Sequence, residues 1–201
     1  YLPYAVTRTW HTQLAVLWIA TAWLATGLYV APMLAGRDPK YQRFGVNFLF
    51  ISLLVIVVGS FAGQWAAVHR LFGTLKANFW FGHQGYEYVD LGRFWQIYLL
   101  VGLLLWVALV VRALWPVLQE KGSKSLIYLV LVSALAIGLL YGAGLMWGEH
   151  THIAVMEYWR WWVVHLWVEG FFEVFATTVI AFLFTMLGLI RPLFAAKAAL
   201  L

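Results

Sequence analysis

Long apolar stretches alternate with short polar segments along the whole chain. A helix needs about 20 apolar residues to cross the hydrocarbon core of a bilayer. Five stretches are long enough: residues 12–35, 46–68, 95–116, 125–147 and 159–190. The segments between them carry the glycine, proline and charged residues typical of loops. The pattern therefore predicts an all-α fold, a polytopic transmembrane helix bundle whose five spans form a single domain over residues 1–201.

The composition agrees with a lipid environment. Hydrophobic residues make up 64% of the 201 positions and charged residues 10%, whereas an average soluble domain is about a quarter charged. This balance excludes a disordered or collagen-like chain and a nucleic-acid-binding protein. The sequence contains no cysteine, which excludes disulfides, thiolate metal sites and a cysteine nucleophile. Any metal must therefore be bound through nitrogen and oxygen ligands.

The basic residues predict the orientation of the bundle, because Lys and Arg are enriched in cytoplasmic loops. On the N-terminal side of the predicted topology lie Arg8, Arg70, Lys76, Arg93 and Arg160. On the opposite side lie Arg37, Lys40, Arg43, Arg112, Lys121, Lys124, Arg191 and Lys197. Four acidic residues also gather on the N-terminal side: Glu87, Asp90, Glu149 and Glu157. The N-terminal end is therefore predicted to lie on the outer side of the membrane.

Three ionisable residues lie inside the fifth predicted span. His165, Glu169 and Glu173 are four residues apart, so at 3.6 residues per turn they share one helix face. Ionisable side chains at membrane depth usually face the bundle interior and bind ions, protons or cofactors. A histidine and a carboxylate one turn apart can bind the same metal, and iron accepts this mixture of ligands. The alternative is a hydrogen bond between His165 and Glu169 that fixes helix packing, with Glu173 protonated or hydrated.

Further candidate ligands lie near the outer ends of the predicted helices. His11 begins the first span, and Arg8 lies one turn closer to the water on nearly the same face. This pair fits a heme ligand beside a propionate-binding cation, while spacing alone favours an interfacial or capping role for the histidine. Glu87 and Asp90 offer oxygen ligands for calcium, or mark a solvated helix start. The other histidines are interpreted as interfacial or surface residues: His69, His83, His150 and His152.

These segments resemble the nitric oxide reductases, the branch of the heme-copper oxidase superfamily with non-heme iron in place of copper. Residues 165–170 (HLWVEG), followed by Glu173, look like the family's metal-binding helix, and residues 8–14 (RTWHTQL) look like the start of its low-spin heme helix. Residues 85–90 occupy the place of its acidic loop. Residues 82–86 (GHQGY) and 158–162 (YWRWW) are most similar to the quinol-oxidising, single-chain form. All five spans fall in the family's order.

The resemblance implies a role for each matched residue. His11 would be an axial ligand of low-spin heme b, and Arg8 would contact a heme propionate. His165 and Glu169 would be ligands of the non-heme iron. Glu173 would be a catalytic second carboxylate that tunes charge or relays protons without binding the metal.

The resemblance also implies a calcium ion, an activity and a location. Glu87 would bind a Ca²⁺ ion that bridges heme propionates, with Asp90 its neighbour. The activity would be the reduction of nitric oxide to nitrous oxide with electrons from quinol. The location would be the cytoplasmic (inner) membrane of a bacterium or archaeon. Oxygen-reducing relatives place other residues, in one branch a tyrosine, four positions after the first metal histidine, so Glu169 favours nitric oxide chemistry.

Several ligands that the family requires are missing from this sequence. The family completes its iron site with an adjacent histidine pair and binds both hemes through a His-x-His motif on later helices. Here no two histidines are adjacent, and the His-x-His at 150 and 152 precedes the iron helix. The ligand of the high-spin heme b3 is therefore expected outside this chain. We expect the sequence, which starts without Met, to be a fragment of a longer polypeptide that is inactive without its remaining helices.

Other functional classes also fit the pattern. An oxygen-reducing relative would contain copper instead of iron. A non-catalytic membrane protein that carries heme b, or a proton-conducting bundle, would use its intramembrane carboxylates without binding iron. An excerpted module would keep its ligand positions only as relics. The sequence does not specify the proton route or the oligomeric state, for which a homodimer is one option.

Overall fold

A computed structural model describes residues 2–84, 91–121 and 124–200, and these ranges contain helices and no strand. The helices are α1 (Tyr4–Ala35), α2 (Gln42–Val68), α3 (Leu75–Phe81), α4 (Arg93–Gln119), α5 (Ser125–Leu140), α6 (Ile153–Trp161), α7 (Phe172–Met186) and α8 (Pro192–Leu200). A 3₁₀ turn (Tyr141–Leu145) extends α5, and a π-helical segment (Trp162–Phe171) joins α6 to α7.

Within the described ranges, five continuous helical stretches are long and apolar enough to cross a membrane. They are Tyr4–Ala35, Gln42–Val68, Arg93–Gln119, Ser125–Leu145 and Ile153–Met186. This confirms the predicted all-α, polytopic membrane bundle with five spans.

The central helix of the bundle is α4, which packs against α1, α2, α3 and α5. Trp106 of α4 is 1% exposed, and its indole N–H donates to Leu24 O of α1 at 2.9 Å. Its ring meets Phe175 of α7 edge-on, with the ring centroids 5.7 Å apart. In lipid, helix association depends on such close packing and on hydrogen bonds between helices. Trp106 therefore ties three of the five spans to one core.

Small residues allow close approach at two places in α2. The ring of Trp95 lies against Gly59, and the carbonyl of Phe81 lies against Gly63, so that a Cβ at either glycine would overlap them. Trp95 Nε1 also donates to Phe81 O at 3.1 Å. The Gly59-xxx-Gly63 spacing therefore serves helix packing, with α3 and α4 as the partners.

The fifth spanning helix begins earlier than the apolar pattern predicts, at Ile153 instead of residue 159. Glu157 falls in a predicted loop, but it pairs with Arg160 within one helical turn at 2.8 Å and 2.5 Å. The ring Nδ1 of His152 accepts a hydrogen bond from the N–H of Ala154 and caps the helix. Paired charges and a capping residue therefore extend this helix beyond its apolar segment.

Candidate metal centre

His165 and Glu169 lie in the π-helical segment between α6 and α7. The sequence pattern predicts a regular α-helix here, but the structure has the wider turn of i→i+5 bonding, which often occurs at functional sites. Four-residue spacing still leaves both side chains on one face, where His165 Nδ1 contacts Glu169 Oε2. The contact is a hydrogen bond when Nδ1 carries a proton. The same two atoms become a pair of ligands when a cation replaces that proton.

The face that carries this pair points away from the other described helices. The side chains of His165 and Glu169 are 57% and 59% exposed, and Glu173 in the first turn of α7 is exposed as well. The sequence pattern predicted that these side chains would face the bundle interior, whereas the described helices leave them uncovered. Charged groups at membrane depth are expensive in contact with lipid. This face therefore requires a polar, metal or protein cover.

The opposite face of the same segment packs against α5 through Trp167. Trp167 is 3% exposed, and its indole N–H donates to Ile137 O of α5 at 2.7 Å. Its ring lies 5.0 Å from Tyr141 and 5.1 Å from Phe172 between centroids. Trp167 therefore fixes the rotation of the segment, and this rotation directs His165 and Glu169 outward.

Aromatic residues border the histidine on the N-terminal side. The ring of Trp161, one turn before His165, meets the imidazole edge-on at 5.6 Å between centroids. The Arg160 guanidinium lies 5.7 Å from the Trp161 ring, while Glu157 binds it through both carboxylate oxygens. Arg160, the basic residue that precedes His165 on this helix, is thus already paired with the carboxylate of Glu157.

His11 and Arg8 lie in the first turns of α1, where His11 is exposed and Arg8 is half-buried. Burial, and then the positive charge of Arg8, lower the pKa of His83 below its ordinary value of 6.5. Arg8 and His83 are therefore close in space, although they are far apart in sequence. The sequence assigned His83 only an interfacial role, and no local spacing could have indicated this neighbour.

A buried arginine that the sequence pattern treated as a loop charge lies at the start of α4. Arg93 is 6% exposed and donates to the carbonyl of Trp147 and, at 3.4 Å, to Gln84 Oε1. Its guanidinium carbon lies 4.7 Å from the Trp147 ring centroid and 5.3 Å from that of Phe79. Arg93 thus connects the start of α4 to Trp147 and to Gln84, the last described residue before the predicted acidic loop.

Glu87 and Asp90 lie outside the described residues, so the calcium site stays a prediction. Over residues 2–84, 91–121 and 124–200, no three His, Asp or Glu side chains are grouped closely enough to hold a metal ion. Of the predicted ligands that the structure describes, it brings His165 and Glu169 into contact. A metal at this pair would need further ligands beyond these two side chains.

Residues 2–201 match the profile of the family described as cytochrome c and quinol oxidase polypeptide I. The chain belongs to this family. A nitric oxide reductase subunit from Stutzerimonas stutzeri is 23% identical over 181 residues, which cover 90% of this chain and 37% of that protein. The chain thus spans just over a third of the length of this curated relative. Membership in the oxidase polypeptide I family implies a multi-pass membrane protein with heme and metal cofactors in general.

The described side chains fit part of such a cofactor set. His165 and Glu169 supply a nitrogen and an oxygen donor from one turn of helix, both accessible from outside the described bundle. His11 presents an exposed imidazole on α1, the kind of side chain that binds heme iron. A metal or a heme at either position would need ligands beyond those that the described residues bring together.

Proposed function

We propose that this chain is the part of a membrane nitric oxide reductase that carries one low-spin heme b ligand and two ligands of a non-heme iron. The observation that carries the proposal is the contact between His165 and Glu169 on an exposed helix face. A packing pair would be expected against other side chains, whereas a ligand pair must be open to the metal and to its remaining ligands. The similarity to the nitric oxide reductase of Stutzerimonas stutzeri supports the same assignment.

Each of the four candidate site residues then has a distinct role. The non-heme iron, when bound, would supply a reducing centre for nitric oxide. Glu169 places a negative charge beside that cation, which lowers the cost of a metal charge in a medium of low dielectric constant. His165 supplies a neutral nitrogen donor, and His11 holds the electron-transferring heme b. Glu173, one turn further along the helix, accepts and donates protons.

The overall reaction consumes two nitric oxide molecules, two electrons and two protons, and yields one nitrous oxide and one water. We propose quinol as the electron donor, because residues 82–86 and 158–162 are most similar to the quinol-oxidising form. The remaining metal and heme ligands come from helices of a longer polypeptide. Glu87 is proposed to bind calcium at the outer end of the bundle.

The metal content of the full-length protein tests the proposal. We expect iron beyond that of the hemes in the purified protein, and we expect Glu169→Gln to reduce iron occupancy at that site by about tenfold or more, since ligand loss exceeds the effects of outer-shell changes. The matched control is Glu149→Gln, which removes an exposed carboxylate from a loop. Copper in place of iron would assign the chain to an oxygen-reducing relative, and normal iron in Glu169→Gln would reject the ligand role.

A further inference from the structure

Three helices are connected by polar contacts near the end of the bundle where α1 and α4 finish and α2 begins. Pro32 has no N–H group, so the carbonyl of Leu28 one turn earlier lacks its helical partner. Gln42 Nε2 donates to this Leu28 oxygen at 3.4 Å. The other side-chain atom of Gln42, Oε1, accepts from Arg112 of α4 at 2.8 Å. Pro32 frees the Leu28 carbonyl, this carbonyl binds Gln42, and Gln42 in turn positions the guanidinium of Arg112.

Arg112 is an exposed cation within a membrane-spanning helix. It lies seven residues before Gln119, the last residue of α4, which is about 10 Å along the helix axis. The side-chain partner that the structure gives for Arg112 is the neutral amide oxygen of Gln42, which does not compensate its charge. An arginine at this depth extends toward the headgroup region and favours an anionic partner there.

The surroundings of Arg112 are basic and aromatic. The connection from α1 to α2 and the start of α2 add the exposed side chains of Arg37, Lys40 and Arg43 against one exposed carboxylate, Asp38. Tyr41 and Phe44 in the same stretch are 81% and 71% exposed. Clusters of Lys and Arg attract anionic lipid headgroups, and aromatic rings favour the membrane interface. This end of the bundle is therefore complementary to a negatively charged lipid headgroup.

An apolar groove of about 180 Å³ begins beside this cationic end and runs between α1, α2 and α4. Its lining includes Leu28, Val46, Leu49, Phe50, Gly102 and Trp106. Leu28 links the two features, because its carbonyl binds Gln42 while its side chain lines the groove. A second cavity of about 160 Å³ shares Leu24, Leu53 and Leu103 with the groove and continues the apolar path toward the π-helical segment.

We infer that this end of the bundle is a binding site for one anionic phospholipid. The phosphate lies on the guanidinium of Arg112, with Arg43 and Lys40 adding positive charge, and one acyl chain lies in the groove between α1, α2 and α4. Charge and apolar surface are arranged in the order that a phospholipid presents them, from headgroup to chain. The inference does not depend on the reaction that the protein catalyses.

The test is native mass spectrometry of the full-length protein, released from micelles that contain equal amounts of phosphatidylglycerol and phosphatidylcholine. We expect one phosphatidylglycerol to be retained in preference to phosphatidylcholine. Arg112→Gln should weaken this retention by about fivefold or more, since each cation near a membrane surface attracts anionic lipid. Arg112→Lys keeps the charge and should retain the lipid. The matched control is Lys197→Gln, which removes an exposed cation from α8.

The groove is tested separately through Gly102. A Cβ at Gly102 meets no atom within 4 Å, so the start of a side chain is accommodated there. We expect Gly102→Leu to occupy the groove and to release the lipid. Equal retention of the two phospholipids would overturn the inference. So would unchanged retention in Arg112→Gln or Gly102→Leu, or an equal loss in Lys197→Gln. An isoprenoid quinone retained in place of the phospholipid would likewise overturn it.

Discussion

The two faces of the π-helical segment differ in what their side chains contact. Trp167 on one face is buried, bonded to Ile137 O and packed between two rings. His165 and Glu169 on the other face contact each other and are more than half exposed. The buried face has the contacts that hold the helix in place, so the polar pair is not needed for that purpose. The difference separates residues that maintain the fold from residues that are available for chemistry.

The largest effect on stability is expected on the buried face. Trp167→Ala removes a large ring and leaves the Ile137 carbonyl without its indole donor, so it should lower the free energy of unfolding by about 3–5 kcal/mol. Unfolding in mixed micelles, followed by circular dichroism, measures this loss. A loss below about 1 kcal/mol would show that the buried face does not hold the segment in place.

Backbone contact distinguishes the two regions in the same way. A Cβ at Gly138 of α5 would lie 2.9 Å from Val107 Cγ2, whereas a Cβ at Gly170 meets no atom within 4 Å. Gly138→Ala should therefore destabilise the protein by about 1–3 kcal/mol through overpacking. Gly170→Ala should stay within about 1 kcal/mol of the parent protein, since alanine also favours a helix. Equal effects in the same unfolding assay would contradict the difference in packing between α5 at Gly138 and the π-helical segment at Gly170.

On the exposed face, stability and metal binding should respond independently. Glu169→Gln keeps the shape of the side chain and should change the free energy of unfolding by about 0.5 kcal/mol or less, as at other exposed positions. The same variant should lose iron in the full-length protein. A packing pair would give the reverse result, with lower stability and normal iron content. Measuring both quantities on one preparation therefore decides between the two interpretations.

Sequence periodicity was sufficient for the spans and for the shared face of His165 and Glu169, because both depend on local spacing. Even the π-helical turn keeps residues four apart on one side. The rotation of that face depends on the hydrogen bond from Trp167 to Ile137 of α5, two residues that are 30 positions apart in the sequence. Such tertiary contacts leave no periodic signal, so the outward direction of the pair could not be predicted.

The same reason explains the residues that sequence reasoning missed. Arg93 looks like an ordinary loop cation until Phe79 and Trp147 surround it. The early start of α6 is helped by the pairing of Glu157 with Arg160, which compensates two opposite charges within one turn. In both cases a charge that reads as solvent-exposed is satisfied by a partner. A prediction that treats every charged residue as a loop residue therefore places the start of such a helix too late in the sequence.

The smallest predicted effect concerns pH near the N-terminal end of α1. Burial and the nearby Arg8 lower the pKa of His83, so the folded state favours the neutral imidazole. The resulting contribution is fully present above the unfolded pKa of about 6.5 and decreases as pH falls below it. His83→Asn should therefore weaken the loss of thermal stability between about pH 7.5 and about pH 5.5, the range in which an imidazole titrates. An unchanged loss would show that His83 is not linked to folding, and His69→Asn serves as the exposed-histidine control.

The central claim is that the exposed histidine and carboxylate bind a metal. Anomalous diffraction from crystals of the full-length protein, recorded on both sides of the iron absorption edge, tests it most directly. The account predicts an iron peak, separate from the heme irons, within bonding distance of a His165 ring nitrogen and a Glu169 carboxylate oxygen. A peak that appears only at the copper edge, or a direct hydrogen bond between the two side chains with no metal beside it, would contradict the account.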